Sequence, residues 1–139
     1  MVDITLVLRK ISELETCKGQ ISEFSGVALG DYTSDWKTQR IVERTMQIMI
    51  ESCVDVANHI ISGSGMRAPT SYSDTFKILF DGHILDSELF SAMERMEKFR
   101  NIVVHQYEEV NAEIVIGILR KHLGDFDRFR DAILTYLRR

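Results

Sequence analysis

Apolar residues recur at helical spacing through most of the chain, and short polar stretches separate the runs. Residues 3 to 24 place Ile4, Leu8, Ile11, Leu14, Ile21 and Phe24 near one face, as an amphipathic helix does. The stretch SGVALGDYTSD breaks this pattern with two glycines and several turn formers. Ser34 or Asp35 can cap the next helix, which runs from about Trp36 to Ile61. There Val42, Met46, Met49, Cys53, Val56 and Ile60 form one apolar strip, and Ile50, Val54, Ala57 and Ile61 form a second. A helix apolar on two sides contacts neighbours on both flanks, so this one is central.

The stretch SGSGMRAPTSYSD ends that helix and carries Pro69, the chain's one proline. SYSDTFKILFDG reads as a short helix stopped at Gly82. Asp86 caps a helix over DSELFSAMERMEKFRNIVVHQY, whose apolar members are Leu89, Met93, Met96, Ile102 and Val103. Asn111 caps the last helix, from Ala112 to about Leu137, with Ile114, Ile118, Leu119, Leu123, Phe126, Ile133 and Leu137 on its core face. No alternating strand pattern competes. Long helices and short loops predict an all-α protein, an antiparallel up-and-down bundle of four long helices plus a short one. A chain of 139 residues is expected to form a single domain over residues 1–139.

Composition narrows the function classes. At 45% hydrophobic residues the chain can fill a core, yet no run is long enough for a transmembrane helix. The N-terminus lacks the basic leader, apolar run and cleavage site of a secretory signal. Cys17 and Cys53 read as small core residues of a reduced, cytoplasmic protein. A net charge of −4 argues against an extended basic surface for nucleic acid, so any RNA contact is local. His59, His83, His105 and His122 show no metal-ligand spacing, and no metal or other cofactor is expected. Asp55 and His59, four apart, read as a structural hydrogen-bonded pair. LRKHLGDFDRFRD reads as a solvated face of mixed charge, and as the best remaining surface for docking a partner.

RNIVVHQY, residues 100 to 107, is the unusual stretch, because titratable side chains crowd around an apolar run. At about 100° per residue, Arg100 and Tyr107 fall almost on one line, while His105 points roughly 140° from Arg100. One regular helix therefore cannot aim all three at one small substrate. Either the helix ends or distorts near His105, or two chains share the site across a dimer axis. The chemistry open to the residues is definite. A neutral histidine can take the proton of an RNA 2′-hydroxyl, which then attacks the neighbouring phosphate. An arginine can hold that phosphate and stabilise its developing charge. Spacing alone leaves a structural reading open, with Arg100 paired to Glu94 or Glu97 and His105 capping a helix end.

FRNIVVHQYEEV resembles the signature of the HEPN superfamily: arginine, a polar residue (Asn101), three more residues, histidine, one residue, tyrosine. It is most similar to the HepT-like branch, which the chain also resembles in VERTMQIMIESCVDVANHII, in PTSYSDTFKILFDGHIL and in the ERMEKFRN approach to the motif. The resemblance covers about residues 3 to 137.

That resemblance implies an all-α, dimeric, metal-independent ribonuclease toxin of a toxin–antitoxin pair, its cleft gathering arginine and histidine from both copies. It implies a catalytic pair of Arg100 and His105, with Asn101 orienting the cleft or the substrate. It implies a partner of the MntA type, a small nucleotidyltransferase antitoxin that transfers AMP to the motif tyrosine, Tyr107. Gln106 stands where an acidic residue is common in the family, which touches local charge but not the mechanism. The rival expectation is a non-catalytic partner or substrate-binding subunit of a nucleotidyltransferase. Such a subunit has little need for a base opposite an arginine.

Overall fold

The computed structural model describes residues 1–105 and 110–139. Seven α-helices and no strand occur among the described residues: α1 (Ile4–Ile21), α2 (Leu29–Ser34), α3 (Trp36–Gly63), α4 (Tyr72–Asp81), α5 (Ser87–His105), α6 (Ala112–Lys121) and α7 (Gly124–Leu137). The starts follow local chemistry. Asp3, Asp35, Ser71, Asp86 and Asn111 each accept a hydrogen bond from a backbone N–H in the first turn of the helix that follows, satisfying donors the helix leaves open. Of the two candidate caps for α3, Asp35 is the one used.

The four long segments α1, α3, α5 and α7 close a ring, α1 on α3, α3 on α5, α5 on α7, and α7 back on α1. Neighbours run antiparallel. Lys18 pairs with Asp127 and Glu15 with Arg130, so α1 and α7 run in opposite directions. Lys10 reaches Asp55 while Gly63 lies against Val2, which fixes the same relation between α1 and α3. The helix α4 packs on both α3 and α5. As its two apolar strips require, α3 contributes eleven buried residues, the most of any helix. Met46, Met49, Met93 and Met96 are all buried, and edge-to-face packing of Phe76 on Phe129, centroids 6.0 Å apart, joins α4 to α7. Both cysteines are free, Cys53 buried and Cys17 half-buried. No described helix is long and apolar enough to cross a membrane.

Four expectations need correction. The stretch read as a plain break contains α2, which buries Tyr32. The predicted last helix is two, α6 and α7, divided at His122 and Leu123, although Leu123 stays buried and the apolar stripe runs through the joint. On α1 the buried line is Val7, Ile11, Leu14 and Ile21, while Ile4 and Leu8 are exposed. Leu8 follows Val7 by one residue, about 100° around the helix, so a face centred on Val7 and Ile11 cannot include it. Asp55 is exposed and pairs with Lys10 at 3.7 Å, not with His59.

At Gly63 the chain start crosses the end of α3 so closely that an added Cβ would lie 2.7 Å from Val2 Cα. Gly63→Ala is expected to lower stability by about 1–3 kcal/mol through this overlap. Urea unfolding of the two proteins measures it, and an unchanged midpoint would refute the close approach.

Candidate active site

Arg100, Asn101 and His105 lie on the last turns of α5, and the structure separates the arginine from the histidine. Arg100 turns inward against α3, its side chain 16% exposed. Its Nε and Nη2 both donate to Glu51 Oε1, at 3.0 and 2.9 Å. Its Nη1 donates to Asn101 Oδ1 at 3.2 Å. The Tyr72 ring, at the start of α4, lies 4.7 Å from the guanidinium carbon, a cation–π contact. A guanidinium has five N–H donors. The three bonds above leave two N–H groups free of those partners, enough to bind one phosphate through two oxygens.

Behind the arginine stands a chain of acceptors and donors. Asn101 Nδ2 donates to Glu97 Oε1, and Glu97 is buried. Gln47 Nε2 donates to Glu51 Oε1 at 3.1 Å. Burial raises the Glu51 carboxyl, but hydrogen bonds from Gln47 and Arg100 outweigh it and hold the group below the ordinary glutamate range. At neutral pH Glu51 is therefore ionised beside the Arg100 guanidinium. Asn101 thus bridges the buried Glu97 and the Arg100 guanidinium. The alternative partners of Arg100 do not pair with it. Glu97 holds Asn101, and Glu94 accepts a weak bond from Ser73 at 3.4 Å.

His105 is exposed, and no hydrogen bond or ion pair joins it to Arg100 among the described residues. The helical-wheel conflict is real in a single chain: the arginine faces α3 and the histidine faces outward. Gln106 and Tyr107 lie outside the described residues. Among those described, no three His, Cys, Asp or Glu side chains gather as a metal ion would need.

Sequence reasoning missed Glu51, Gln47 and Tyr72. Glu51 did leave a signal. It is a carboxylate set between the buried pairs Met49–Ile50 and Ser52–Cys53, and such a group needs a partner. The pair implies a pH dependence. Because the carboxyl is held low, its contribution is complete above the ordinary glutamate value of 4.5 and fades as acid protonates it. Glu51→Gln is expected to cost about 1 kcal/mol at neutral pH, discounted for partial exposure. Melting curves at several pH values should show the gap to the parent closing in acid. An equal gap at every pH would contradict the pairing.

Comparison with known proteins identifies the family. Residues 14–133 match the family model described as "Ribonuclease HepT-like". The chain is 31% identical over 128 residues to the mRNA nuclease HepT of Shewanella oneidensis, covering 92% of this chain and 96% of that protein. It is 27% identical over 119 residues to the tRNA nuclease HepT of Aphanizomenon flos-aquae, covering 84% and 80% respectively. A solved structure of the tri-AMPylated Shewanella oneidensis HEPN toxin in complex with MNT antitoxin superposes with a TM-score of 0.87 at 31% identity, covering 97% of this chain and 99% of that one. The family model, the relatives matched over nearly their whole length and the shared fold agree, and the chain belongs to the HepT-like ribonuclease family.

Proposed function

We propose that this protein is the toxin of a toxin–antitoxin pair, a homodimeric endoribonuclease whose site combines Arg100 of one protomer with His105 of the other. One observation carries the reading: within a chain, Arg100 faces α3 and His105 faces solvent, so a second copy is the simplest source of the missing partner. In the reaction, neutral His105 accepts the 2′-hydroxyl proton. The 2′-oxygen attacks the adjacent phosphorus, and the two N–H groups of Arg100 not bound to Glu51 or Asn101 stabilise the pentacoordinate phosphate. The bond to the 5′-oxygen then breaks. That oxygen takes a proton from solvent, leaving a 2′,3′-cyclic phosphate and a 5′-hydroxyl end. No metal ion enters these steps.

Silencing acts on the tyrosine that follows His105 closely in the sequence. The partner is a nucleotidyltransferase antitoxin, as in the MNT complex of the Shewanella relative. The Tyr107 hydroxyl oxygen attacks the α-phosphate of ATP and gives up its proton to solvent, pyrophosphate leaves, and AMP stays on a residue two positions from His105. The added bulk and negative charge repel an RNA phosphate. Reducing cytoplasm suits both the RNA substrate and the two free cysteines.

The test is RNA cleavage by unmodified protein beside His105→Ala, with EDTA present and the product ends analysed. The parent should cut and leave cyclic phosphate ends, and the variant should be slower by about 10²–10⁴-fold. Equal cleavage by both would remove His105 from the mechanism. No cleavage by either would favour a binding subunit that only presents Tyr107.

A further inference from the structure

A broad cleft of about 1020 Å³ opens beside the motif, between the first half of α3, the end of α5 and the start of α6. Its α3 wall is a single stripe. Trp36, Arg40, Arg44 and Gln47 follow one another at steps of four, four and three, so they share a face. The next step of four reaches Glu51, the residue that holds Arg100. The stripe spans about 22 Å at the helical rise and leads from open solvent to the proposed catalytic arginine.

The lining has the composition of a single-strand nucleic-acid groove. Trp36 is 65% exposed, a large cost for an indole with no use, and Lys37 Nζ stands 5.8 Å from its ring centre. Arg40 and Arg44 are exposed and form no ion pair among the described residues. Among the described residues they face Glu43, whose pKa burial raises while Arg40 partly opposes it, and Arg44 also acts on Glu51, already paired with Arg100. In a chain of net charge −4, Lys37, Arg40 and Arg44 outnumber the carboxylates of the first half of α3 that line the cleft among the described residues. The opposite wall carries Ile102 and Ile114. Ile114 was expected on a core face, yet the two are 40% and 47% exposed and present an apolar surface to the cleft. On its floor lies Tyr32, whose buried hydroxyl has no hydrogen-bond partner among the described residues.

We infer that this cleft is the substrate groove: Arg40 and Arg44 hold backbone phosphates of single-stranded RNA, and Trp36 with Ile102 and Ile114 receives its unstacked bases. Base stacking on exposed aromatic rings beside cations is how single strands are held without sequence readout. The groove threads the strand along α3 toward Arg100. The inference rests on the ribonuclease reading above, and it adds the residues that capture the strand before the chemistry.

The experiment measures fluorescence anisotropy of a labelled 2′-O-methyl oligouridylate, which binds but lacks the nucleophile, against salt. The proteins are the full-length parent, the double variant Arg40→Gln/Arg44→Gln, the charge-preserving Arg40→Lys/Arg44→Lys, and Trp36→Ala. Loss of two phosphate contacts should weaken the glutamine variant by about tenfold or more and lower the salt slope by about 1.4. The lysine variant should keep the parental slope. Trp36→Ala should weaken binding by about five- to a hundredfold. Unchanged affinity and slope in the glutamine variant would overturn the assignment. So would retained RNA binding with loss of antitoxin co-purification, which would make the cleft a protein dock. If the parent cuts RNA but the variants bind normally, the groove alone is refuted. If the parent neither cuts nor binds RNA, the ribonuclease reading falls with it.

Discussion

Glu51 on α3 holds Arg100 on α5, and the placement of the site depends on that bond. An arginine left free on α5 would sample many rotamers and lose side-chain entropy on meeting a phosphate. Two donors on one carboxylate oxygen, a third on Asn101 and the Tyr72 ring fix it beforehand. The cost of burying the charges is offset by the pairing and by Gln47, which adds a further bond to the same oxygen. The same contacts tie α3, α4 and α5 together, so the bundle and the site share their support.

That anchoring also sets what one chain can do alone. Arg100 is committed inward, and His105 stands on the outer side of the same helix. A helix cannot bring both to one phosphate by rotation, since turning α5 would break the bond to Glu51. On the function proposed above, a second copy of the chain resolves the conflict by association. The exposed Ile41, Ile48 and Val104 on α3 and α5 offer apolar surface where a second copy would meet it.

The sequence made the helices readable because caps and apolar periodicity are local. Asp35, Asp86 and Asn111 start helices where a side-chain acceptor precedes an apolar run, and the doubly apolar α3 is the central one. The motif was legible too, as a residue pattern with a geometric conflict inside it. What could not be read was set by distance along the chain. Glu51 lies 49 residues from Arg100, and no periodicity links them. Tyr72 meets the guanidinium only because α4 packs on α5. The short α2 hid behind glycines and turn formers, and its purpose is the burial of Tyr32. Ile102 and Ile114 kept the spacing of core residues while lining a cleft, which spacing alone does not distinguish from burial.

The sharing of one site by two chains is tested most directly by mixing two inactive proteins. Arg100→Gln keeps its histidine, and His105→Ala keeps its arginine. Subunits exchanged after mild dissociation form mixed dimers in which one site regains both groups and the other has neither. Statistical exchange of equal amounts should restore about one quarter of the parental RNA cleavage. Cleavage that stays at the level of the separate variants would show that each chain carries its own complete site.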